Sequence, residues 1–249
     1  MFIIKILNIK SLLITLILLS GLSCGKNQKD TDNFRVAYKG ALKNMMHKGD
    51  ISGKVDLYDF QQEKHFYALG AIENLKGEIQ IFDSKPINTF VDQENLTVDN
   101  SFNKKATLLV YTWVKEWNSI TIPDDIQTVE QLEKFIELTA YENQINIDKP
   151  FPFLIEGKVD SVDWHVIDWE NGDTEHSLKK HKSSGLHGNE KNVNVEIIGF
   201  FSKSHQTIFT HHSSNVHIHM KTVDNKIAGH VDELTLGKGI LLKLPKHMN

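Results

Sequence analysis

Val216-His217-Ile218-His219-Met220, followed by Gly229-His230-Val231, is the part of the chain that decides how it folds. Successive side chains of a β-strand leave opposite faces, so His217 and His219 share one face. Asp224-Asn225, between Val223 and Lys226, reads as a tight turn. If that turn has two residues, Val223 pairs with Lys226, and counting back sets His219 directly opposite His230. Opposed residues share a sheet face, with Cβ atoms about 4.5–5.5 Å apart, and His217 becomes the diagonal neighbour. Any even-length turn centred on Asp224-Asn225 keeps this register. Three imidazoles on one side of a hairpin make a facial ligand set for Zn²⁺ or a similar divalent ion. They leave coordination positions open, as a catalytic metal needs. A His-x-His pair alone is also found among ordinary strand histidines; the third histidine on the same face sets this one apart.

The other histidines show no such pattern. His211 and His212 are adjacent, so a strand sends them to opposite faces. His165, between Trp164 and Val166, reads as a structural residue of a strand. His176, His181 and His187 fall in a Lys/Ser/Gly/Asn-rich stretch from about Leu178 to Asn192 and its approach, the longest loop candidate.

Working outward, strand signals dominate. Leu75–Phe82 alternates so that Glu78, Gln80 and Phe82 share one face, with Ile79 and Ile81 on the other. Ala106–Val114, Phe153–Val159, Ser161–Trp169 and Val195–Phe201 are β-branched and aromatic runs. One helix is clear: Thr128-Val129-Glu130-Gln131 is a capping box, followed by Leu132, Phe135 and Ile136 at helical spacing. A weaker helix is expected within Val36–Met46. Many strands with a few separated helices predict an α+β fold, with mixed or antiparallel sheets in two closely packed subdomains.

The N-terminus sets the compartment. Lys5 and Lys10 precede an apolar run, Ser11–Leu22, which is short for a bilayer span and ends in Ser20-Gly21-Leu22-Ser23-Cys24. Residues 1–23 resemble a bacterial lipoprotein signal, with Cys24 as the lipidated first residue of an exported, membrane-anchored protein. Residues 24–34 are polar and read as a tether, leaving residues 35–249 as the folded part, with subdomains at about 35–145 and 146–249. Cys24 is the only cysteine, which excludes an internal disulfide framework. The formal net charge of −4 becomes −6 without Lys5 and Lys10, which argues against a nucleic-acid partner. Arg35 is the only arginine, so nothing later in the chain supplies a guanidinium.

Five short segments in order carry a family resemblance: Asn74-Leu75-Lys76-Gly77-Glu78-Ile79, Phe153-Leu154-Ile155-Glu156-Gly157, Ile198-Gly199-Phe200, His217-Ile218-His219 and Gly229-His230-Val231. Together they resemble α-acetolactate decarboxylase from about residue 36 to 245, and Met45 with His47-Lys48-Gly49-Asp50 resembles that family's segment near the start of the domain. The resemblance implies zinc, or another divalent metal, on His217, His219 and His230. It implies 2-acetolactate chelated through hydroxyl and ketone oxygens, a catalytic glutamate at Glu78 that takes part in proton transfer, acetoin and CO₂ as products, and a possible homodimer. Two positions depart. The family's carboxylate-binding arginine aligns with Leu154, and Lys158, on the same strand face, is expected to offer a point charge instead. The chain also ends at Leu244-Pro245-Lys246-His247-Met248-Asn249, so a later active-site glutamate of the family is expected to be missing. Alternatives are a metal enzyme acting on a different hydroxy-ketone, and a non-catalytic metal- or small-molecule-binding lipoprotein.

Overall fold

The computed structural model describes residues 34–175 and 177–246. The signal segment, Cys24, the tether through residue 33 and His176 lie outside the described residues. The first sheet is built from β1 (Ala37–Lys39), β2 (Val55–Asp56), β3 (Phe66–Ile72), β4 (Glu78–Phe82), β5 (Lys85–Pro86), β6 (Asn88–Asp92), β7 (Asn95–Asp99) and β8 (Lys105–Trp113). A short helix, α1 (Leu42–Lys48), follows β1. The second sheet holds β9 (Trp117–Thr121), β10 (Phe151–Val166), β11 (Leu186–Phe201), β12 (Val216–Thr222), β13 (Ala228–Thr235) and β14 (Leu241–Pro245). Helix α2 (Val129–Glu142) lies between β9 and β10, and α3 (Leu178–Ser183) between β10 and β11. All pairings between these strands are antiparallel. The fold is α+β, with two antiparallel sheets and few helices.

The second sheet curls onto itself. β10 pairs with β11, β11 with β12, β12 with β13, and β13 returns to the far half of β10. One face carries the largest apolar core, including Phe153, Ile155, Ile197, Phe201, Ile218, Met220 and Val231, with Leu132 and Ile136 of α2 packed on it. The other face meets the first sheet through Leu154, Ile198 and Phe200, which cluster with Tyr67, Leu69 and Val110. On the first sheet's far side Ile79 and Ile81 join Phe66, Leu109 and Tyr111 in a third cluster.

Two irregularities decide which side chains reach the shared face. Asp160 and Asn192 drop out of the β10–β11 ladder, and Asn192 takes a left-handed φ of 52°. Before this break Phe153, Ile155 and Val159 face the large core, and after it Val162, Trp164 and Val166 do. The parity of β10 has changed, so His165 leaves on the opposite face and pairs with His230 across β13. A β-bulge then inserts Asp232, because Trp164 pairs with Val231 whereas Asp163 pairs with Glu233.

Several expectations are corrected. Phe153–Val159 and Ser161–Val166 belong to one strand, β10, broken only at Asp160, and Ile167–Trp169 lie beyond its end. The polar stretch from Leu178 to Asn192 is α3 and the start of β11, because β10 offers a continuous partner for it. Val36–Met46 divides into β1 and α1 around Gly40, whose φ is 78°. The change of sheet comes after β8, since β9 pairs with β14 and α2 packs on the second sheet's core. The capping box at Thr128 and Gln131 is present as read from the sequence.

The β12–β13 connection is longer than two residues but keeps its parity. Thr222 N–H donates to the Ile227 carbonyl at 2.8 Å, and Asn225 sits at φ 57°. Asp224 organises this turn, accepting from the Thr222 hydroxyl at 2.7 Å and the Lys226 amide at 3.2 Å. The Thr222 hydroxyl and Lys226 hold its carboxyl down from 3.8 to about 2. A depressed carboxylate pKa contributes stability above the unfolded value, lost as pH falls through the folded one. Asp224→Asn is therefore expected to flatten the acid limb of stability between about pH 4 and pH 2 relative to the parent. Urea titrations at a series of pH values check this; parallel limbs in the two proteins would contradict it.

Candidate metal centre

Ile218 and Met220 bury into the large core, which turns His217 and His219 of β12 toward the first sheet. His219 stands directly opposite His230, the register counted from the turn. Ligand-type atoms of His217, His219 and His230 all lie within 4.8 Å of one another. His219 Nε2 and His217 Nε2 are 3.2 Å apart. Two nitrogens bound tetrahedrally to zinc at about 2.0–2.1 Å stand about 3.3–3.4 Å apart, so this pair needs little adjustment to share an ion. The donor set, three imidazoles and a nearby carboxyl, suits zinc and other borderline divalent metals.

β4 supplies the opposing wall. Ile79 and Ile81 bury into the third cluster, so Glu78 and Gln80 point at the histidines. Gln80 is fully buried, and its amide donates from Nε2 to the Ile87 carbonyl at 2.6 Å and to the Thr89 hydroxyl at 3.2 Å. That leaves Oε1 facing His219 Nδ1 at 2.9 Å. An amide oxygen only accepts, so His219 carries its proton on Nδ1 and presents a lone pair on Nε2. Burial holds the imidazolium forms of His217, His219 and His230 below the usual histidine range, well below for the first two, and the neighbouring histidines reinforce this. All three rings are therefore neutral at neutral pH, the form that binds a metal.

Glu78 completes the group. Its Oε2 is 3.8 Å from His219 Nε2, and its Oε1 is 3.9 Å from His165 Nε2. Oε1 also accepts from the Ile167 amide at 3.3 Å. Burial pushes this carboxyl well above the usual range, the Ile167 amide opposes the shift, and Asp232 adds to it.

Two residues of the cluster escaped the sequence reading. His165 is buried, with Nδ1 2.9 Å from Asp232 Oδ2 and its ring centroid 4.8 Å from that of His230. Asp232 Oδ1 is also 3.6 Å from His230 Nδ1 and 2.8 Å from Lys182 Nζ. Burial works to raise the Asp232 carboxyl, but hydrogen bonds and charge from His165 and His230 outweigh it and leave the group below the usual carboxylate range. Both residues reach the site through strand irregularities that local patterning does not reveal. The one available signal was the polar His165 between the apolar Trp164 and Val166.

Lys158, expected to offer a point charge in place of the family's arginine, stands apart from the centre. Its side chain is exposed, beside Asn194 by register, because β14 covers β10 only from Leu154 to Glu156. Leu154 is buried at 6 % exposure among Tyr67, Leu69, Ile198 and Phe200.

The fold and this centre define a two-sheet protein with a three-histidine, one-glutamate site between the sheets. The alpha-acetolactate decarboxylase family profile matches residues 37–245, and the chain belongs to that family. Comparison with curated protein sequences gives no match. Among solved structures, alpha-acetolactate decarboxylase from Bacillus subtilis strain 168 aligns with a TM-score of 0.67 at 16% identity, covering 85% of each chain. A Staphylococcus aureus protein of unknown function, similar to alpha-acetolactate decarboxylase, aligns at 0.68 with 13% identity over 86% of each chain. Acetolactate decarboxylase from Bacillus subtilis subspecies spizizenii gives 0.66 at 18% identity, covering 86% of this chain and 87% of that one. At these identities the likeness speaks for the fold.

The Gln80 contact supplies a test of the centre. Gln80→Leu removes the acceptor that fixes the His219 tautomer, and loss of such a partner lowers metal affinity about 10–100-fold. Competition with a chromophoric chelator for zinc measures this, and an unchanged affinity would refute the orienting role.

Proposed function

We propose that the protein is a metal-dependent decarboxylase of 2-acetolactate, or a closely related 2-hydroxy-3-keto acid, giving acetoin and CO₂. The observation that carries this reading is the buried Glu78 carboxyl, 3.8 Å from His219 Nε2, facing three imidazoles set to hold one ion. Family membership supports decarboxylase-type lyase chemistry, and the particular substrate and metal are our inference.

The reaction breaks the bond between C2 and the carboxylate carbon. The electron pair left behind moves toward the neighbouring ketone oxygen, and a proton must then reach carbon. A divalent ion held by His217, His219 and His230 supplies Lewis acidity for the charge that builds on the substrate's oxygens. The chain's own residues do the rest. Gln80 keeps the His219 lone pair aimed at the site. The Ile167 amide holds the Glu78 carboxyl beside it, in position to take part in proton transfer to the carbon. Water is restricted because the His219 and Glu78 side chains are only 1% and 6% exposed.

A second reading has a specific observation behind it. Leu154, which aligns with the family's carboxylate-binding arginine, is packed among apolar side chains, which favours a neutral hydroxy-ketone as ligand. We also propose that the protein is exported and lipid-anchored at Cys24, on the strength of the basic, apolar and small-residue order of residues 1–23. Cys24→Ser is expected to move it from the membrane to the soluble fraction.

The zinc-loaded protein is expected to release CO₂ from acetolactate and form acetoin. His219→Ala should abolish this together with zinc binding. Glu78→Gln should lower kcat about 10²–10⁴-fold while zinc remains bound. Coupled CO₂ assay, acetoin colorimetry and metal analysis read the three results. A zinc-loaded parent that forms no acetoin at high substrate concentration would end the decarboxylase reading.

A further inference from the structure

The decarboxylase reading needs a cation for the substrate's carboxylate, and the expected places do not provide one. Leu154 is apolar and Lys158 is in solvent. Two lysines on the shared face are already engaged. Lys221 is buried with Nζ 2.6 Å from Glu196 and 5.3 Å above the Phe82 ring. Lys243 is paired with Glu156 at 2.5 Å.

The site's open side points elsewhere. The His230 side chain is 29% exposed against 1% for His219, so a ligand approaches past His230. Lys182, in the last turn of α3, stands on that side. Its Nζ is 2.8 Å from Asp232 Oδ1, and its charge is felt at both His230 and His211. The helix is fixed in place: Ser177 caps it by accepting from the Lys180 amide at 3.2 Å, and the His181 ring meets Trp169 edge-on at 4.7 Å. Trp169 is itself 1% exposed, in the core between the sheets, and its amide donates to the Leu75 carbonyl at 3.0 Å.

We propose that Lys182 receives the carboxylate of the substrate at the His230 side of the centre, taking the part that the family assigns to the arginine aligned with Leu154. The Asp232 carboxylate holds the ammonium by charge, with Nζ 2.8 Å from Oδ1, and the ammonium's N–H donors remain for a ligand. Asp232, His165 and His230 also bring ligand-type atoms within 4.8 Å of one another. With the Lys182 ammonium already on Asp232, a second metal ion there would face a like charge. The carboxylate therefore serves to position a lysine. At 39% exposure the Lys182 side chain is accessible from solvent while anchored to the buried cluster.

This assignment rests on the decarboxylase reading, and binding separates the two. The zinc-loaded full chain and its Lys182→Met, Lys182→Gln and Lys182→Arg variants are titrated calorimetrically with two unreactive chelators. One is 2,3-dihydroxy-2-methylbutanoate, which carries a carboxylate; the other is butane-2,3-diol, which does not. Zinc content and thermal unfolding verify that each variant is folded and loaded. Loss of one charge-assisted contact predicts about ten- to hundredfold weaker binding of the dihydroxy acid to the Met and Gln variants. Binding of the diol should be unchanged, and the Arg variant should stay within a few-fold of the parent. Equal losses for both ligands, or no loss for either, would overturn the assignment. If Lys182-dependent binding of the acid holds but acetolactate gives no acetoin, the decarboxylase reading fails and the carboxylate site stands. If acetoin forms with the same KM in parent and Lys182→Met, the reading stands and the assignment fails.

Discussion

The hydrogen bond from His219 Nδ1 to Gln80 Oε1 joins the two sheets at the point where their shared face stops being apolar. A buried amide without partners costs a few kcal/mol, so Gln80 is tolerated only because each of its groups is met. Its NH₂ is held by Ile87, between β5 and β6, and by Thr89 of β6, and its oxygen is held by the other sheet. The contact works in both directions. It orients β4 against β12, and it selects the tautomer that leaves His219 Nε2 free for an ion. Glu78, two residues away on the same face, is carried to the histidines by the same strand. Fold and centre therefore share one constraint, and Ile79 and Ile81 hold the strand to it from behind.

What the sequence disclosed follows from how local each determinant is. The register of His219 on His230 was legible because a hairpin depends on one turn and on strand parity; even a longer turn preserved it. The face of Glu78 and Gln80 was legible from alternation, and α2 from its capping box. His165 and Asp232 were not. Their positions depend on parity changes at Asp160 and in β13, and on pairing between strands more than sixty residues apart, such as His165 with His230. Composition also misled for the polar stretch ending at Asn192. Its burial pattern is that of a half-exposed ribbon, whose order comes from the partner strand β10 and not from a hydrophobic run of its own.

Charge on the shared face is balanced locally. The neighbouring register pair Glu156 and Glu196 places two like carboxylates side by side, a destabilising arrangement unless each finds a cation. Lys243 and Lys221 answer them from the flanking strands β14 and β12. Four charges thus form a neutral row, and the lysines beside the centre are bound up in holding the sheet together. With Leu154 in the adjacent row, the closed side of the centre has no spare positive charge among these residues.

The exposure gradient across the histidines then has a chemical consequence. His219 lies at the closed end with Glu78, where low dielectric strengthens electrostatic effects and burial pushes the carboxyl's pKa up. His230 lies at the open end, beside Asp232, Lys182 and α3. On the proposed decarboxylase reading, a chelating substrate places its uncharged oxygens near the closed end and its charged group near the open one, because burying an unpaired carboxylate against Leu154, Ile198 and Phe200 would be costly. That orientation leaves the bond to be broken pointing toward α3 and the carbon to be protonated nearer Glu78. The polar segment around α3, which composition marks as a surface loop, is therefore the part of the chain best placed to decide which acid enters.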